Sequence, residues 1–344
     1  MSKSTAAQKA QDKTLNDSLV STNQQMQLFL LPEIIDKNHS HLIDIYDAID
    51  KYSYGHKKKV KDIALSARTT ETQIQKRVIK STIRAANITD KNGKTVLVFP
   101  GEREERVEEA LRKMAVEGNG VYIDGSAGVT FTLYGLQKEL KSRGHTYSIS
   151  ELKESILINR RSTLEVSTAD GSVLVDSGFF EAVGLVSRKD FDLDRSALCY
   201  VRFNPLVSES ILKVSYRRYN YQRSMKIASP LALYIYKRMS LYFTQAAENI
   251  PYTRSLVSLF SQSPRGLSQR MGDNIRAMNN ALDALINCKV VARYELEKIK
   301  EGRKVIDVRY KIYTHEEFIQ QQKSGNKVKR DILNKMEETD DQIF

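Results

Sequence analysis

The stretch SILKVSYRRYNYQRSMKIASPLALYIYKRMSLYFTQ, from Ser210 to Gln245, carries Lys213, Arg217, Arg218, Arg223, Lys226, Lys237 and Arg238 and no Asp or Glu. Tyr216, Tyr219, Tyr221 and Tyr234 are threaded among them. Cations interleaved with rings suit a nucleic-acid backbone, because they replace its condensed counterions while the rings pack beside sugar or base. The alternative is an ordinary solvated face. The formal net charge is +12 over 344 residues, and Arg202 to Lys311 holds 20 basic and 8 acidic side chains. The whole excess therefore lies in about one third of the chain. A concentrated patch builds a potential that outlasts salt screening, which favours a polyanionic partner: nucleic acid first, an anionic membrane surface second.

Other candidate chemistry is sparse. Asn92-Gly93-Lys94-Thr95 suggests a phosphate-binding loop, but the earlier glycine of that loop falls at Ile88, so the match fails. His39 and His41 stand one residue apart, the spacing used by metal-dependent strand-nicking enzymes. A loop pair is the favoured reading, with a helix in LIDIYDAID after it. His56, His145 and His315 are isolated, and Cys199 and Cys288 read as small buried hydrophobes in a reducing compartment. No residue set for catalysis, a metal or a cofactor emerges, and the chain reads as a non-enzyme.

The elements that would position a polyanion-binding surface are legible. No run approaches the ~20 apolar residues of a spanning helix, and MSKSTAAQKAQDKTLNDS lacks the apolar core of an export signal. A cytoplasmic, nucleoid- or plasmid-associated protein is expected. Polar, mobile tails are expected over residues 1–40 and 316–344, framing an N-terminal region over 41–228 and a second unit over 229–315.

In the N-terminal region, Phe131, Leu133, Leu136 and Leu140 carry near-helical spacing up to Gly144. Ser148 and Glu151 then form a capping box before Ile149, Leu152 and Ile156, which predicts a second, amphipathic helix and hence a helix-turn-helix. TLEVST and SVLVDS flank Asp170-Gly171, a hairpin turn, so a wing follows. Further strands are predicted in FFEAVGLVS and SALCYVRFN. The charged helix EREERVEEALRKMAVEG is expected to pack behind, with Val107, Leu111 and Met114 on one face.

The second unit starts at Ser229-Pro230, a helix start, with Leu231, Ile235, Met239 and Tyr242 as its buried stripe. After Pro264-Arg265-Gly266 a long helix runs from Ser268 to about Asn287. Met271, Ile275, Met278, Leu282, Leu285 and Ile286 share one face, leaving Gln269, Asp273, Arg276 and Asn280 opposite. Those side chains can bond base edges. VVARYELEKIKEGRKVIDVRYKIY then gives two strands joined at Lys300-Glu301-Gly302-Arg303, with Arg303 and Lys304 placed to touch phosphate. The fold class is α+β, two tandem winged helices with polar tails.

The block NPLVSESILKVSYRRYNYQRSMKIASPLALYIYKRMSLYFTQA resembles the junction between the two winged helices of bacterial plasmid replication initiators of the iteron-binding kind. GLQKELKSRGHTYSISELKESILI and DSGFFEAVGL resemble that family's first winged helix. The resemblance spans roughly Phe131 to Tyr313 and does not reach residues before about Gly120. It implies a protein that binds directly repeated double-stranded DNA at a plasmid origin, recruits the host initiator and helicase, and can regulate its own gene. It further implies a second winged helix that reads bases and a first that contacts backbone and mediates homodimerisation. DNA contacts are accordingly expected from Ser148, Ser150, Lys153, Arg160 and Arg161, from Arg217, Arg218, Arg223, Lys226 and Lys237, and from Arg265, Gln269, Arg270, Asp273, Arg276, Asn280, Arg303 and Lys304. The alternatives are a winged-helix transcriptional regulator binding palindromes as a dimer, and a strand-nicking enzyme using His39 and His41.

Overall fold

A computed structural model describes residues 38–54, 59–60, 65–74, 77–89, 93–186, 196–213 and 215–340. Almost all of the expected N-terminal tail, and His56, lie outside the described residues. Strand β1 (His39–Ile43) opens the described chain, so the histidine pair sits on a strand and not in a loop. A turn follows it where a helix was expected, with Asp47 Oδ2 accepting from the Ile43 amide at 2.7 Å.

Next come β2 (Lys59–Val60), the hairpin of β3 (Ala67–Ile74) and β4 (Arg77–Arg84), then β5 (Ala86–Thr89) and β6 (Thr95–Val98). In β4, Ile79, Ser81 and Ile83 alternate inward as period-two geometry requires. The charged segment forms α1 (Glu102–Met114), with Val107, Leu111 and Met114 buried as expected. Strands β7 (Gly120–Ile123) and β8 (Ser126–Phe131) lead to α2 (Leu133–Ser142) and α3 (Ile149–Arg161). Thr132 caps α2, and the Ser148–Glu151 box caps α3.

The predicted hairpin is β9 (Thr163–Thr168) with β10 (Val173–Gly178), turning at Gly171, whose φ of 87° is the left-handed conformation glycine tolerates. It is part of a larger sheet: the order β10-β9-β4-β3 adds the earlier hairpin to the wing. The expected further strands are β11 (Phe180–Gly184) and β12 (Cys199–Phe203), in a sheet ordered β11-β12-β8-β7. Cys199 is buried, as the sequence suggested.

Asn204 caps α4 (Pro205–Leu212), with Pro205 at the first helical position. The junction continues through β13 (Tyr216–Asn220), which pairs antiparallel with β1, and α5 (Tyr221–Lys226). The second unit comprises α6 (Pro230–Tyr242), β14 (Tyr252–Ser255), α7 (Leu256–Ser261), α8 (Met271–Asn287) and the long hairpin β15 (Val291–Glu301) and β16 (Lys304–Thr314). Gly302 turns that hairpin with φ 57°. The sheet order β14-β16-β15 and the long α8 complete a second winged helix, so the α+β tandem architecture is as expected.

Two further elements differ from expectation. Helix α6 is buried on every side from Leu231 to Leu241, where one buried stripe was anticipated, because it is sandwiched between the junction and the second unit. The C-terminal segment is not a tail: it forms α9 (Glu316–Asp340), which buries Phe318, Ile319, Gln321, Gln322 and Ile332. Its apolar residues are too few to announce burial. Polar contacts supplement them: Gln321 Oε1 accepts from Arg223 Nη1 at 3.0 Å and from the Tyr236 hydroxyl at 3.1 Å.

Candidate nucleic-acid interface

Helix α8 buries Met278, Ala281, Leu282 and Leu285 and presents Gln269, Arg270, Arg276 and Asn280 to solvent around its start and outer face. Arg276 is 77% exposed, loosely paired with half-exposed Asp273 at 3.7 Å, one turn back. The entry to the helix is held by buried Asn274. Its Oδ1 accepts from the Ser268 amide and from Arg265 Nη1, each at 2.9 Å, and its Nδ2 donates to the Ser268 carbonyl at 2.8 Å. Arg265, expected on DNA, is therefore a loop-holding residue. Its guanidinium also lies 5.1 Å from the Phe260 ring centre.

The wing is tied to α8 at two levels. The Tyr294 hydroxyl donates to Asp283 Oδ1 at 3.2 Å, and that of Tyr310 to Asn279 Oδ1 at 2.9 Å. Tyr294 pairs with Ile312 and Leu296 with Tyr310, so one step toward the hairpin tip descends one turn toward the start of α8. By that spacing the next pair, Lys298 with Val308, stands at the level of Arg276. Lys298, Lys300, Arg303 and Lys304 are exposed, and among the described residues none has an acidic partner. Lys298 and Lys300 were not anticipated. The strand register that aligns them with the helix follows from the predicted alternation only once the hairpin turn is fixed at Gly302.

The first unit is arranged differently. Helix α3 is covered by α1 on one side and by β5 and β11 elsewhere. Ser148 is occupied as the cap, accepting from the Glu151 amide at 3.2 Å, while Ser150 is exposed. Lys153 donates to the Val186 carbonyl at 2.8 Å, and Arg161 reaches the Asn87 carbonyl at 3.3 Å. Arg160 and Arg161 remain exposed at the helix end.

The acid-free junction is where expectation and structure part most. Tyr216, Tyr219, Tyr221 and Tyr234 are core residues and present no rings to a nucleic acid. Lys237 is buried, and its Nζ meets Glu105 at 2.6 Å and also Glu109, both on α1. Burial alone would lower its pKa, but Glu105 and Glu109 more than reverse this and hold it above the ordinary lysine value. Arg223 binds Glu317 at 2.7 Å and Gln321 on α9, and Arg217 donates to Asn326 at 2.9 Å. Lys226 is exposed and Arg218 half-buried. The stretch lacks acids because its acids are supplied by α1 and α9. Lys237 and Arg223 thus serve the protein's own packing.

Helix α1 is the hub of that packing. Arg106 is fully buried and donates to the carbonyls of Ser224 at 2.9 Å and Ile227 at 2.7 Å. Arg112 binds Asp47 at 2.8 Å, and Lys51 binds Asp47 at 3.1 Å and Glu108 at 3.8 Å. Burial would raise the Asp47 pKa, but Arg112 and Lys51 hold it well below the carboxylate range. The hydroxyls of Tyr52 and Tyr54 donate to Glu108 and Glu105.

His39 and His41 share one face of β1, opposite Asn220 and Arg218. The His41 ring meets Tyr216 edge-on at 4.2 Å. Desolvation, together with the charges of Arg112 and Arg218, lowers its pKa to about 3, so it is neutral. Among the described residues no group of three His, Cys, Asp or Glu side chains could hold a metal ion, and no helix is long and apolar enough to cross a membrane.

No family model matches the sequence, and no curated protein matches it. Among solved structures, domains 2 and 3 of RctB align at 12% identity with a TM-score of 0.48, covering 78% of this chain and 96% of theirs. A second structure of those domains gives 12% and 0.47 over 82% and 99%. The Pi initiator protein in complex with iteron DNA gives 13% and 0.43 over 62% and 91%. Overlap at this level assigns no ligand to the present chain.

Proposed function

We propose that this chain is a replication initiator that binds double-stranded DNA at repeated origin sequences of a plasmid. The carrying observation is the geometry of the second winged helix: an exposed polar face on α8 beside a hairpin whose tip cations have no acidic partner among the described residues. In this reading Arg276, Asn280 and Gln269 meet base edges in the major groove while Lys298, Lys300, Arg303 and Lys304 neutralise phosphates alongside. The sequence resemblance in the junction block supports the origin as the site. Recruitment of the host initiator and helicase, and control of its own gene, belong to the same proposal, as does the absence of catalysis by the chain itself. Dimerisation through the first unit is supported by β10, a sheet edge on which Val173 and Leu174 are exposed.

A footprint on DNA flanking the gene tests this directly. Protection of directly repeated sites is expected. A palindromic footprint would assign the chain to the transcriptional regulators instead, and no protected site would end the sequence-specific reading. The strand position of His39 and His41 keeps the nicking alternative in view. Incubation with supercoiled DNA and magnesium or manganese is expected to leave it intact; nicking lost in His41→Ala would overturn the non-catalytic reading.

A further inference from the structure

A cleft of about 530 Å³ opens where the first unit, the junction and the second unit meet. It is lined by Gln73 at the end of β3, Arg217 on β13, Arg238 on α6, Arg254 on β14 and Gln262 after α7. Three arginines from separate elements face one space, and among the described residues no carboxylate lines it. The Asp44 carboxylate nearby accepts from the Tyr242 hydroxyl at 2.9 Å, and its charge offsets part of that of Arg217.

Arg238 is the informative group. It is 8% exposed, and its Nη1 donates to the Ala48 carbonyl at 3.4 Å and to the Tyr234 hydroxyl at 3.0 Å. The Nε is buried without a hydrogen-bond partner, and among the described residues no carboxylate is within ion-pair reach. The guanidinium lies 5.5 Å from the Tyr234 and Tyr242 ring centres, which offset part of the cost of a buried charge, and an anion in the cleft would offset more. Among the described residues Arg238 Nη2 makes no hydrogen bond, which leaves a charged donor for a phosphate oxygen.

The surroundings agree. Arg254 lies 4.2 Å from the Tyr252 ring centre and bonds only to the Thr253 carbonyl of its own strand. Burial lowers the Arg217 pKa more than Asp44 raises it, and burial with Arg217 lowers that of Lys329 on α9 against the same Asp44.

We infer that this cleft is a phosphate-binding site, in which Arg238 and Arg254 of the second unit and Arg217 of the junction supply the positive charge that holds the oxygens. The phosphate belongs either to the DNA backbone or to a free phosphorylated compound, since both offer the same oxygens. Either way the occupant ties the two winged helices together.

The test needs no DNA at first, so it stands apart from the reading of α8. Inorganic pyrophosphate is titrated into the full chain by calorimetry, with the arginine Nε–H signals followed by NMR. Saturable binding with a shift of the Arg238 signal is expected. The exposed Arg254→Gln and half-buried Arg217→Gln changes, which spare the core, are each expected to weaken binding about ten-fold, the worth of one charge-assisted bond. The wing double variant Arg303→Ala with Lys304→Ala is expected to bind pyrophosphate as the parent does. No saturable binding, or an equal loss in the wing variant, overturns the site. Duplex DNA is then added: competition with pyrophosphate identifies a backbone phosphate, and simultaneous binding identifies a free compound.

Discussion

The junction and the second wing are both rich in cations, and they use them in opposite ways. In the junction, Lys237 is buried against Glu105 and Glu109, Arg223 meets Glu317, and the interleaved tyrosines are core. In the wing, Lys298, Lys300, Arg303 and Lys304 project into solvent with no acidic partner among the described residues. Local acid-free composition is the more pronounced in the junction, yet the wing has the free charge. Whether a cation faces a ligand depends on which acids the fold brings to it, and α1 lies 132 residues from Lys237 at the Glu105 contact.

The sharpest way to break this contrast is Lys237→Met. It leaves Glu105 and Glu109 buried without their cation, so a stability loss of about 3–5 kcal/mol in urea unfolding is expected, with little change in the salt dependence of DNA binding. A loss under about 1 kcal/mol would show that the junction charges are solvated after all.

Acid should act on the same hub. The Asp47 and Glu105 pKa values are lowered in the folded chain: burial would raise them, but Arg112 and Lys51 at Asp47, and Lys237 and Arg106 at Glu105, outweigh it. Groups with depressed folded pKa contribute stability above their unfolded values, near 4, and lose it as pH falls through the folded ones. Urea midpoints are therefore expected to fall steadily below about pH 4, and the slope should be shallower in Asp47→Asn. A slope identical to the parent's would remove Asp47 from the account.

On the wing side, Arg276→Ala is expected to weaken binding to the specific site by about 1–3 kcal/mol while nonspecific affinity stays nearly constant. Undiminished discrimination would take base reading away from α8. Replacing Arg303 and Lys304 by Ala should lower affinity for every duplex and reduce the salt slope by about 2. The smallest effect is expected from Arg223→Gln. Its partner Glu317 is 45% exposed, but Arg223 is 11% exposed and also bonds buried Gln321, so unfolding should shift by about 1 kcal/mol, and the salt slope should not move. A reduced slope in that variant would return the junction to the DNA-binding surface.

Both winged helices were legible where the signal is local. The Ser148 box, the Asp170-Gly171 turn, the periodicity of Met278, Leu282 and Leu285, and the alternation of Val308, Tyr310 and Ile312 each reflect a few neighbouring residues obeying helix or strand geometry. The polar face of α8 and the tip cations Arg303 and Lys304 came with them. The β3–β4 hairpin was not legible as part of the first wing's sheet, because its pairing with β9 joins residues about 80 positions apart and a strand carries no mark of a distant neighbour. Helix α9 was hidden by its polar composition, because Gln321 buries through hydrogen bonds to Arg223 and Tyr236 that no hydropathy pattern displays.

The helices and hairpins of the two winged helices follow from the chain's local pattern, since helical and strand periodicities and turn residues act over spans of a few residues. Which charges remain free is set by contacts between elements distant in the chain. Coulombic pairing and burial act through space, so the acids of α1 and α9 neutralise the junction, the wing is left basic, and Arg238 is enclosed beside a cleft without a counter-charge.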